Sequence, residues 1–363
     1  MTGPRVGVDA LALRTGGGVT WLVRLIPALA RVWPEASIEV LARPEVGAPP
    51  DADACVTWAH RRVPAGALRV LVEGVVVRRW ARASALDVVL VGADAGPARL
   101  ACPYVQASLN AKPYTTSGWR YRLLRRAARA TARGAYATVF LSESLRRVAK
   151  PVLAPRRSVV VAAGLDLPPA LAPSRPIAAP YVLVVATGYA HKDLATALRA
   201  VLSLRARGRR ERLAWVGLPV DAQVVAGLRH LAQDDPDALL EVGPVDGPTL
   251  EAWYAHAAAV LLPSLEESGG LPVAEALARG IPVVASDIPA IAETAAGGAR
   301  LHPPGDAARA AALLEDALAS PDDAAGRLRS GRLWASTRTW EAAARRYREV
   351  LEAAIASGRR PPD

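Results

Sequence analysis

Short apolar runs alternate along the chain with longer segments whose apolar residues recur at helical spacing. This alternation is typical of α/β proteins, in which helices connect the strands of parallel sheets. Strands are predicted at Val6–Asp9, Ser37–Leu41, Cys55–Trp58, Val88–Val91, Pro103–Leu109, Thr138–Ser144, Val159–Asp166, Tyr181–Thr187, Arg212–Gly217, Leu240–Asp246, Ala258–Leu262 and Val283–Ser286. Helices are predicted at 19–33, 119–133, 249–257, 273–279, 307–318 and 324–338, and from Asp193 to near Arg207.

A proline-rich segment divides the chain. Residues 168–180 hold five prolines and no periodic pattern, which is typical of a linker. A chain of 363 residues is long enough for two domains of ordinary size. We therefore predict an N-terminal α/β domain at 1–168, a linker at 169–180 and a C-terminal α/β domain at 181–338.

Charge and composition limit the classes of function. The formal net charge of +11 favours an anionic partner, such as a phosphorylated substrate, a nucleic acid or an anionic membrane face, although a solvated arginine-rich surface is its commonest origin. The chain lacks interleaved aromatic residues of the kind that stack on bases, so we expect no nucleic-acid partner. With no signal-peptide pattern after Met1, no apolar run of membrane-spanning length and only two cysteines, we expect a cytoplasmic protein.

The segment 263–289 carries the strongest chemical signal. Its Ser-Gly-Gly loop at 268–270 lets an anion approach the backbone, and Pro272 suits the first turn of a helix. A glycine-rich turn before a helix presents unpaired N–H groups and the positive end of the helix dipole, which suit a phosphate. Glu267 and Glu275 flank this loop, and carboxylates accept hydrogen bonds from sugar hydroxyls. The segment therefore predicts a site for a sugar nucleotide.

The same segment resembles the donor-site signature of family 4 retaining glycosyltransferases, usually Glu-Gly-Phe-Gly-Leu-Pro-x-x-Glu. Residues 267–275 read Glu-Ser-Gly-Gly-Leu-Pro-Val-Ala-Glu, so Ser-Gly replaces the usual Gly-Phe, and the trailing Gly280-x-Pro282-Val-Val-Ala-Ser also matches. The resemblance is sharp from Tyr181 to Trp340 and looser before it. It implies the GT-B fold, in which two doubly wound Rossmann-like α/β domains face each other across a cleft. It also implies that residues 339–363 form a helix that returns to the N-terminal domain.

The resemblance assigns a role to each matching residue of the second half. Lys192 matches a lysine that contacts the donor diphosphate, and Glu267 is expected to hold the donor sugar; these two are the predicted catalytic residues. Glu275 is expected to hold the ribose hydroxyls. The remaining predicted donor-binding residues are Ser268, Gly269, Gly270, Leu271 and His191. A solvated Lys192 beside a helix-capping Asp193 is the alternative interpretation of that loop.

A glycine run in the first half is a candidate for the phosphate or acceptor side. The strand, glycine run and helix of residues 6–33 have the layout of a ligand-binding turn in a doubly wound sheet. The resemblance places Gly16, Gly17 and Gly18 across the cleft from the donor, near its phosphates or the acceptor. A plain tight turn explains the glycines equally well.

Asn110 is the second acceptor-side candidate. Asn110, Pro113 and Tyr114 match a segment that in many bacterial relatives begins with a histidine, but Leu109 occupies that position. No catalytic histidine is therefore expected here. Asn110 is either a sugar contact or the cap of a turn.

The helix predicted at 119–133 allows two interpretations. It carries six arginines, and Tyr121, Leu124, Ala128 and Ala132 fall on one helical face. It is either a surface helix that packs this stripe on a sheet, or a basic amphipathic helix that touches an anionic membrane or a lipid-phosphate acceptor.

The resemblance implies transfer of a sugar from a nucleoside-diphosphate sugar to an acceptor hydroxyl, with retention of anomeric configuration and without metal or cofactor. The expected acceptor is a bacterial glycan, a lipid-linked glycan or a small natural product. Two alternatives remain. A sugar-nucleotide 2-epimerase would need acids and histidines in both halves, whereas the chain holds five histidines; a basic nucleic-acid or membrane-surface module would need no donor site. A cytoplasmic enzyme, free or peripheral at the inner face of the membrane, fits the transferase.

Overall fold

The computed structural model describes residues 3–14, 16–48, 54–64, 67–166, 168, 173–319 and 321–358. The chain divides into two compact units, which we call the first unit (Met1–Gly164 with Arg338–Asp363) and the second unit (Leu165–Thr337). Each unit is built on one parallel sheet with helices, which confirms the predicted α/β class. Residues 169–172 of the predicted linker lie outside the described residues.

The sheet of the first unit runs β3-β2-β1-β4-β5-β6-β7. Every strand pairs in parallel with its neighbours. The strand order reverses between β1 and β4, which is where open α/β sheets bind ligands beyond the carboxyl ends of their strands. The strands are β1 (Arg5–Asp9), β2 (Ser37–Ala42), β3 (Val56–His60), β4 (Val88–Val91), β5 (Tyr104–Ser108), β6 (Ala137–Phe140) and β7 (Ser158–Val160).

The sheet of the second unit runs β10-β9-β8-β11-β12-β13 and is also parallel. Its order reverses between β8 and β11. The strands are β8 (Tyr181–Val185), β9 (Arg212–Val216), β10 (Leu239–Gly243), β11 (Ala259–Leu262), β12 (Val283–Ser286) and β13 (Arg300–His302).

Helices connect these strands in both units. They are α1 (Gly17–Val32), α2 (Ala67–Ala83), α3 (Lys112–Thr115), α4 (Trp119–Gly134), α5 (Glu143–Leu153), α6 (Leu194–Ala206), α7 (Ala222–Leu231), α8 (Gly247–Ala255), α9 (Leu271–Arg279), α10 (Pro289–Ala295), α11 (Ala307–Ala319), α12 (Pro321–Ser336) and α13 (Trp340–Ala356). Short 3-10 helices lie at Ala190–Lys192 and Pro236–Ala238.

Alternate residues of β8 show why ligand sites fall at sheet edges in this fold. Val182 and Val184 belong to a buried cluster with helix α6, whereas Tyr181 and Leu183 belong to a second cluster with helix α9. Both faces of the strand are thus covered, as is usual for parallel sheets. The accessible polar groups of such a unit lie in the loops at the strand ends.

The C-terminal helix α13 packs within the first unit. The Tyr347 ring meets the Trp21 ring of α1 edge to face, with centroids 5.9 Å apart. Arg348 donates to the Val32 carbonyl at 2.6 Å and to Glu35 at 2.8 Å. Apolar packing and charge-assisted bonds together attach the end of the chain to α1.

The structure departs from the predicted elements at α2, β7 and α8, among other places. No helix was predicted at α2, whose valine-rich sequence favours strand by propensity. The predicted strand Val159–Asp166 was wrong in extent, because β7 is an edge strand whose pairing with β6 ends at Phe140↔Val160. The helix predicted at 249–257 begins two residues earlier, at Gly247, and the Asp246 side chain caps it by accepting from the Thr249 N–H at 2.9 Å.

Candidate donor site

Two loops meet at the carboxyl edge of the second unit, where its strand order reverses. One follows β8 and carries Lys192; the other follows β11 and carries Glu267. Because β8 and β11 are parallel neighbours, both loops leave the sheet at the same edge. The Leu265 N–H donates to the His191 carbonyl at 2.8 Å, which joins the loops directly.

Lys192 and Glu267 form an ion pair in this corner. The Lys192 Nζ donates to the Glu267 Oε1 at 2.6 Å, and both side chains are largely buried, with 18% and 11% of their surface exposed. The Ser264 hydroxyl donates to the same oxygen at 2.9 Å. The interpretation of Lys192 as a solvated side chain is therefore wrong, although Asp193 does cap α6 by accepting from Thr196.

The N-terminus of α9 has the features predicted for a phosphate cradle. The helix begins at Leu271, two residues before the predicted start, and Gly270 precedes it with φ 57° and no side-chain cap. That left-handed conformation favours glycine. A Cβ at Gly269 would meet no atom within 4 Å, and the Thr294 hydroxyl of α10 fixes the loop by donating to the Gly269 carbonyl at 2.7 Å. The first-turn amides thus lack a side-chain partner of their own.

Glu275 lies one turn further along α9 and is held by aromatic and charged neighbours. The Tyr254 hydroxyl of α8 donates to the Glu275 Oε2 at 2.6 Å. Arg279 lies over the Tyr254 ring, 4.9 Å from its centroid, and bonds to Glu251 and to the Glu275 carbonyl. Burial raises the pKa of Glu275, while the Tyr254 hydroxyl and Arg279 counteract that shift.

Tyr254, Arg279 and Glu251 were missed by the sequence-based prediction. Burial and the adjacent Glu275 charge raise the pKa of Tyr254, so its hydroxyl keeps its proton and remains a donor. A helical-spacing signal was available, since Glu251 and Tyr254 are three residues apart and Glu275 and Arg279 four. That signal places each pair on one helix face, but only the packing of α8 on α9 brings the two pairs together.

Two predicted donor-binding residues lie beside these groups. His191 is half-buried and its ring stacks on Tyr189, with centroids 5.7 Å apart and planes 17° from parallel. Ser268 is half-buried between Glu267 and the two loop glycines. Their contribution to ligand binding stays a prediction.

The glycine run of the first unit forms the N-terminus of α1. Gly16 precedes the helix with φ 68° and no side-chain cap, at the end of the loop that follows β1. A Cβ at Gly17 would meet nothing within 4 Å, whereas one at Gly18 would lie 3.0 Å from Leu13. The glycine run therefore forms an uncapped helix N-terminus in the loop that follows the carboxyl end of β1. Its contact with phosphate or acceptor stays a prediction.

Asn110 is exposed and its side chain is engaged locally. The Asn110 Oδ1 accepts from the Lys112 N–H at 3.0 Å, which stabilises the turn into α3. Both interpretations made from the sequence therefore remain, since a turn-capping amide can still offer its Nδ2 group to a ligand.

Asp94, which the sequence-based prediction also missed, lies just after β4 at the point where the first sheet reverses its order. The Asp94 Oδ1 accepts from the Ser108 hydroxyl at 2.5 Å and from the Tyr114 hydroxyl at 2.8 Å. Burial raises its pKa to about 6, against the lowering effect of those hydroxyls. Nothing in the local sequence distinguishes Asp94 from an ordinary loop aspartate.

Asp94→Asn is expected to stabilise the protein at neutral pH. A carboxyl whose pKa is raised on folding contributes stability at pH values below 3.8 and loses it as the pH rises through about 6. Asparagine keeps the acceptor oxygen and cannot ionise. The unfolding free energy of the variant should therefore exceed that of the wild type by up to about 3 kcal/mol at pH 7.5, and the difference should shrink toward pH 4.5. Denaturant titrations at the two pH values measure this, and a difference that does not change with pH would contradict it.

Neither a metal-binding cluster nor a membrane-spanning helix is present among the residues that the structure describes. Those residues contain no group of three His, Cys, Asp or Glu side chains arranged to hold a metal ion. None of the described helices is long and apolar enough to cross a bilayer.

Parts of the chain are similar to known glycosyltransferases. Residues 179–320 match the family described as glycosyl transferases group 1. The chain is 40% identical over 133 residues to D-inositol 3-phosphate glycosyltransferase 2 of Catenulispora acidiphila, a match covering 33% of this chain and 31% of that protein. It is 43% identical over 63 residues to D-inositol 3-phosphate glycosyltransferase of Pseudarthrobacter chlorophenolicus, covering 17% and 15%. The matched segments thus span less than a third of these relatives.

Solved structures match over nearly the whole chain. Sucrose-phosphate synthase from Thermosynechococcus elongatus superposes with a TM-score of 0.78 at 18% identity, covering 98% of this chain and all of that one. Anabaena HepE in complex with UDP and glucose gives 0.75 at 15% identity, covering 96% and 99%. The chain has the GT-B glycosyltransferase fold. The predicted fold class is therefore confirmed.

Proposed function

We propose that this GT-B protein transfers a sugar from a nucleoside-diphosphate sugar to an acceptor hydroxyl, with retention of anomeric configuration and without a metal or cofactor. The observation that carries the proposal is the joint placement of Lys192, Glu267 and the uncapped start of α9 where the second sheet reverses its order. A cation and free amides beside two glutamates suit a ligand that combines phosphates with hydroxyls.

The diphosphate would lie on the amides of Gly269, Gly270 and Leu271, with Lys192 as its cation. In the free protein, the Lys192–Glu267 pair would hold both side chains in place for the donor. When phosphate oxygens bind the Lys192 ammonium, the Glu267 carboxylate becomes available to accept a hydrogen bond from a donor-sugar hydroxyl. Negative charge grows on the phosphate as the sugar–phosphate bond breaks, so a cation fixed beside it stabilises that transition state.

Glu275 would accept from the ribose hydroxyls. Tyr254 occupies its Oε2, which fixes the carboxylate and leaves its other oxygen to a ligand. Arg279 is bonded to Glu251 and to the Glu275 backbone carbonyl, so it contributes positive charge without bonding to the Glu275 carboxylate. The acceptor hydroxyl would give its proton to the departing phosphate.

The comparisons support a donor of this class. Solved neighbours of the same fold include HepE in complex with UDP and with UDP-glucose. The relatives that match parts of this chain are named as glycosyltransferases. The acceptor is proposed as a glycan, a lipid-linked glycan or a small natural product.

A panel of UDP, GDP, dTDP and ADP tests this proposal. The matching nucleoside diphosphate should raise the Tm of the wild type, because a ligand that binds only the folded state stabilises it by about 2.7 kcal/mol at a hundredfold excess over Kd. The corresponding sugar nucleotide should then give a retained glycoside, as read from the anomeric configuration of the product. Stabilisation by none of these ligands, or a 2-epimer as the product formed without acceptor, would reject the transferase.

A further inference from the structure

Helices α2 and α4 form one outer surface of the first unit. Val70 of α2 packs against the buried cluster that contains Ala128 and Ala132 of α4, so both helices cover the same face of the sheet. We call the solvent side of these two helices the α2/α4 surface. Both helices begin after carboxyl ends of strands, and the N-terminal halves of both therefore lie toward the edge that carries Asp94 and Asn110.

Large apolar side chains project to solvent from those N-terminal halves. Trp119 and Leu123 of α4 are 61% and 47% exposed, and they are one helical turn apart. On α2, apolar residues at the same kind of spacing are also exposed, namely Leu68, Leu71 and Val75. These five are nearly half of the large apolar side chains that the described residues expose. Such grouping is unusual on a surface that meets only water.

The charge on this surface is of one sign. The exposed arginines of the two helices are Arg78, Arg79, Arg82, Arg120, Arg122, Arg126, Arg129 and Arg133. α4 contains no acidic residue, and the one acid of α2, Glu73, is fully buried and paired with Arg69. Elsewhere in the same unit, exposed arginines pair with glutamates, as Arg346 does with Glu349 and Arg31 with Glu341. The α2/α4 surface therefore offers unopposed positive charge beside exposed apolar side chains.

We propose that the α2/α4 surface docks the protein on an anionic lipid bilayer. Arginines attract an anionic headgroup layer, and a tryptophan and leucines beside them enter the headgroup and acyl boundary. A nucleic acid would use the positive charge but would leave the leucine and valine side chains without a partner. If the proposed transferase function holds, this surface favours a lipid-linked acceptor over a small water-soluble one, because the first unit's carboxyl edge adjoins it.

Co-sedimentation with vesicles tests the surface directly and needs no transferase activity, so its failure would leave the donor-site proposal standing. The full chain should pellet with vesicles of phosphatidylcholine and phosphatidylglycerol and remain in solution with phosphatidylcholine alone. Arg122→Glu with Arg126→Glu should weaken binding by at least ~25-fold, since each arginine near an anionic surface contributes roughly fivefold. Trp119→Ser with Leu123→Ser should weaken it as well, through the lost apolar insertion.

Matched variants of the second unit control for net charge and apolar content. Arg199→Glu with Arg309→Glu makes the same change of charge on exposed helix positions, and Leu333→Ser removes another exposed leucine. Both should bind vesicles like the wild type, and circular dichroism checks that every variant folds. The proposal would be overturned if the protein bound neutral vesicles as well as anionic ones, or if the second-unit variants lost as much binding as the α2/α4 variants. It would also be overturned if DNA outcompeted anionic vesicles and Trp119→Ser left DNA binding unchanged.

Discussion

Lys192→Met is expected to lower sugar transfer by about 10²- to 10³-fold while the protein stays folded. Fixed charges that face a developing negative charge are typically worth this much in turnover. In the free protein Lys192 is paired with Glu267 in a mostly buried corner. Methionine keeps the aliphatic volume but leaves the Glu267 carboxylate without its cation, next to the position where the diphosphate would bind. Repulsion between carboxylate and phosphate should add to the loss.

Steady-state kinetics on Lys192→Met, Glu267→Gln and the double variant separate these contributions. The two single losses should not add in the double variant, because groups in contact share their interaction energy. Lys150→Met is the matched control, since Lys150 is an exposed lysine of α5 in the first unit. Transfer by Lys192→Met within threefold of the wild type would show that Lys192 does not serve the reaction.

Glu275→Gln is expected to weaken nucleoside-diphosphate binding by about 10- to 100-fold, because a hydrogen bond to a charged group contributes ~1.5–3 kcal/mol.

Tyr254→Phe is expected to change how nucleoside-diphosphate binding depends on pH. Its hydroxyl lowers the pKa of Glu275 against the larger effect of burial, so removing the hydroxyl raises that pKa further. Ribose binding needs the ionised carboxylate. Affinity in Tyr254→Phe should therefore fall at a higher pH than in the wild type as the solution is acidified.

Isothermal titration of the nucleoside diphosphate from pH 5 to 9 measures both effects. Tyr181→Phe provides the control, because the Tyr181 hydroxyl is also buried in this unit but donates to the Trp253 carbonyl at 2.8 Å. Its affinity profile should match the wild type. Identical pH profiles for Tyr254→Phe and Tyr181→Phe would show that Tyr254 only fills space beside Glu275.

Much of the fold was readable from the sequence because the strands are continuous apolar runs buried on both faces. The second half was the clearest, since β11, α9 and β12 follow one another with glycine and proline at their boundaries. Helix α4 was also placed to within one residue. Helix α2 was missed because its valines favour a strand, and packing against the sheet overrides that preference.

The candidate site was readable only where its residues share one local motif. Glu267, Gly270 and Glu275 stand within nine consecutive residues, whereas the ion pair of Lys192 with Glu267 joins positions 75 residues apart. That contact depends on β8 and β11 being neighbours, which no local pattern reveals. Asp94 and Tyr254 were missed for the same reason, since each acquires its role from partners on other elements.

A crystal structure of the protein with its nucleoside diphosphate bound is the most direct test of the donor site. We expect phosphate oxygens at hydrogen-bond distance, ~3 Å, from the Leu271 N–H and the Lys192 Nζ, and ribose hydroxyls at the same distance from the Glu275 carboxylate. A diphosphate bound away from the start of α9, with Lys192 still paired to Glu267, would contradict it.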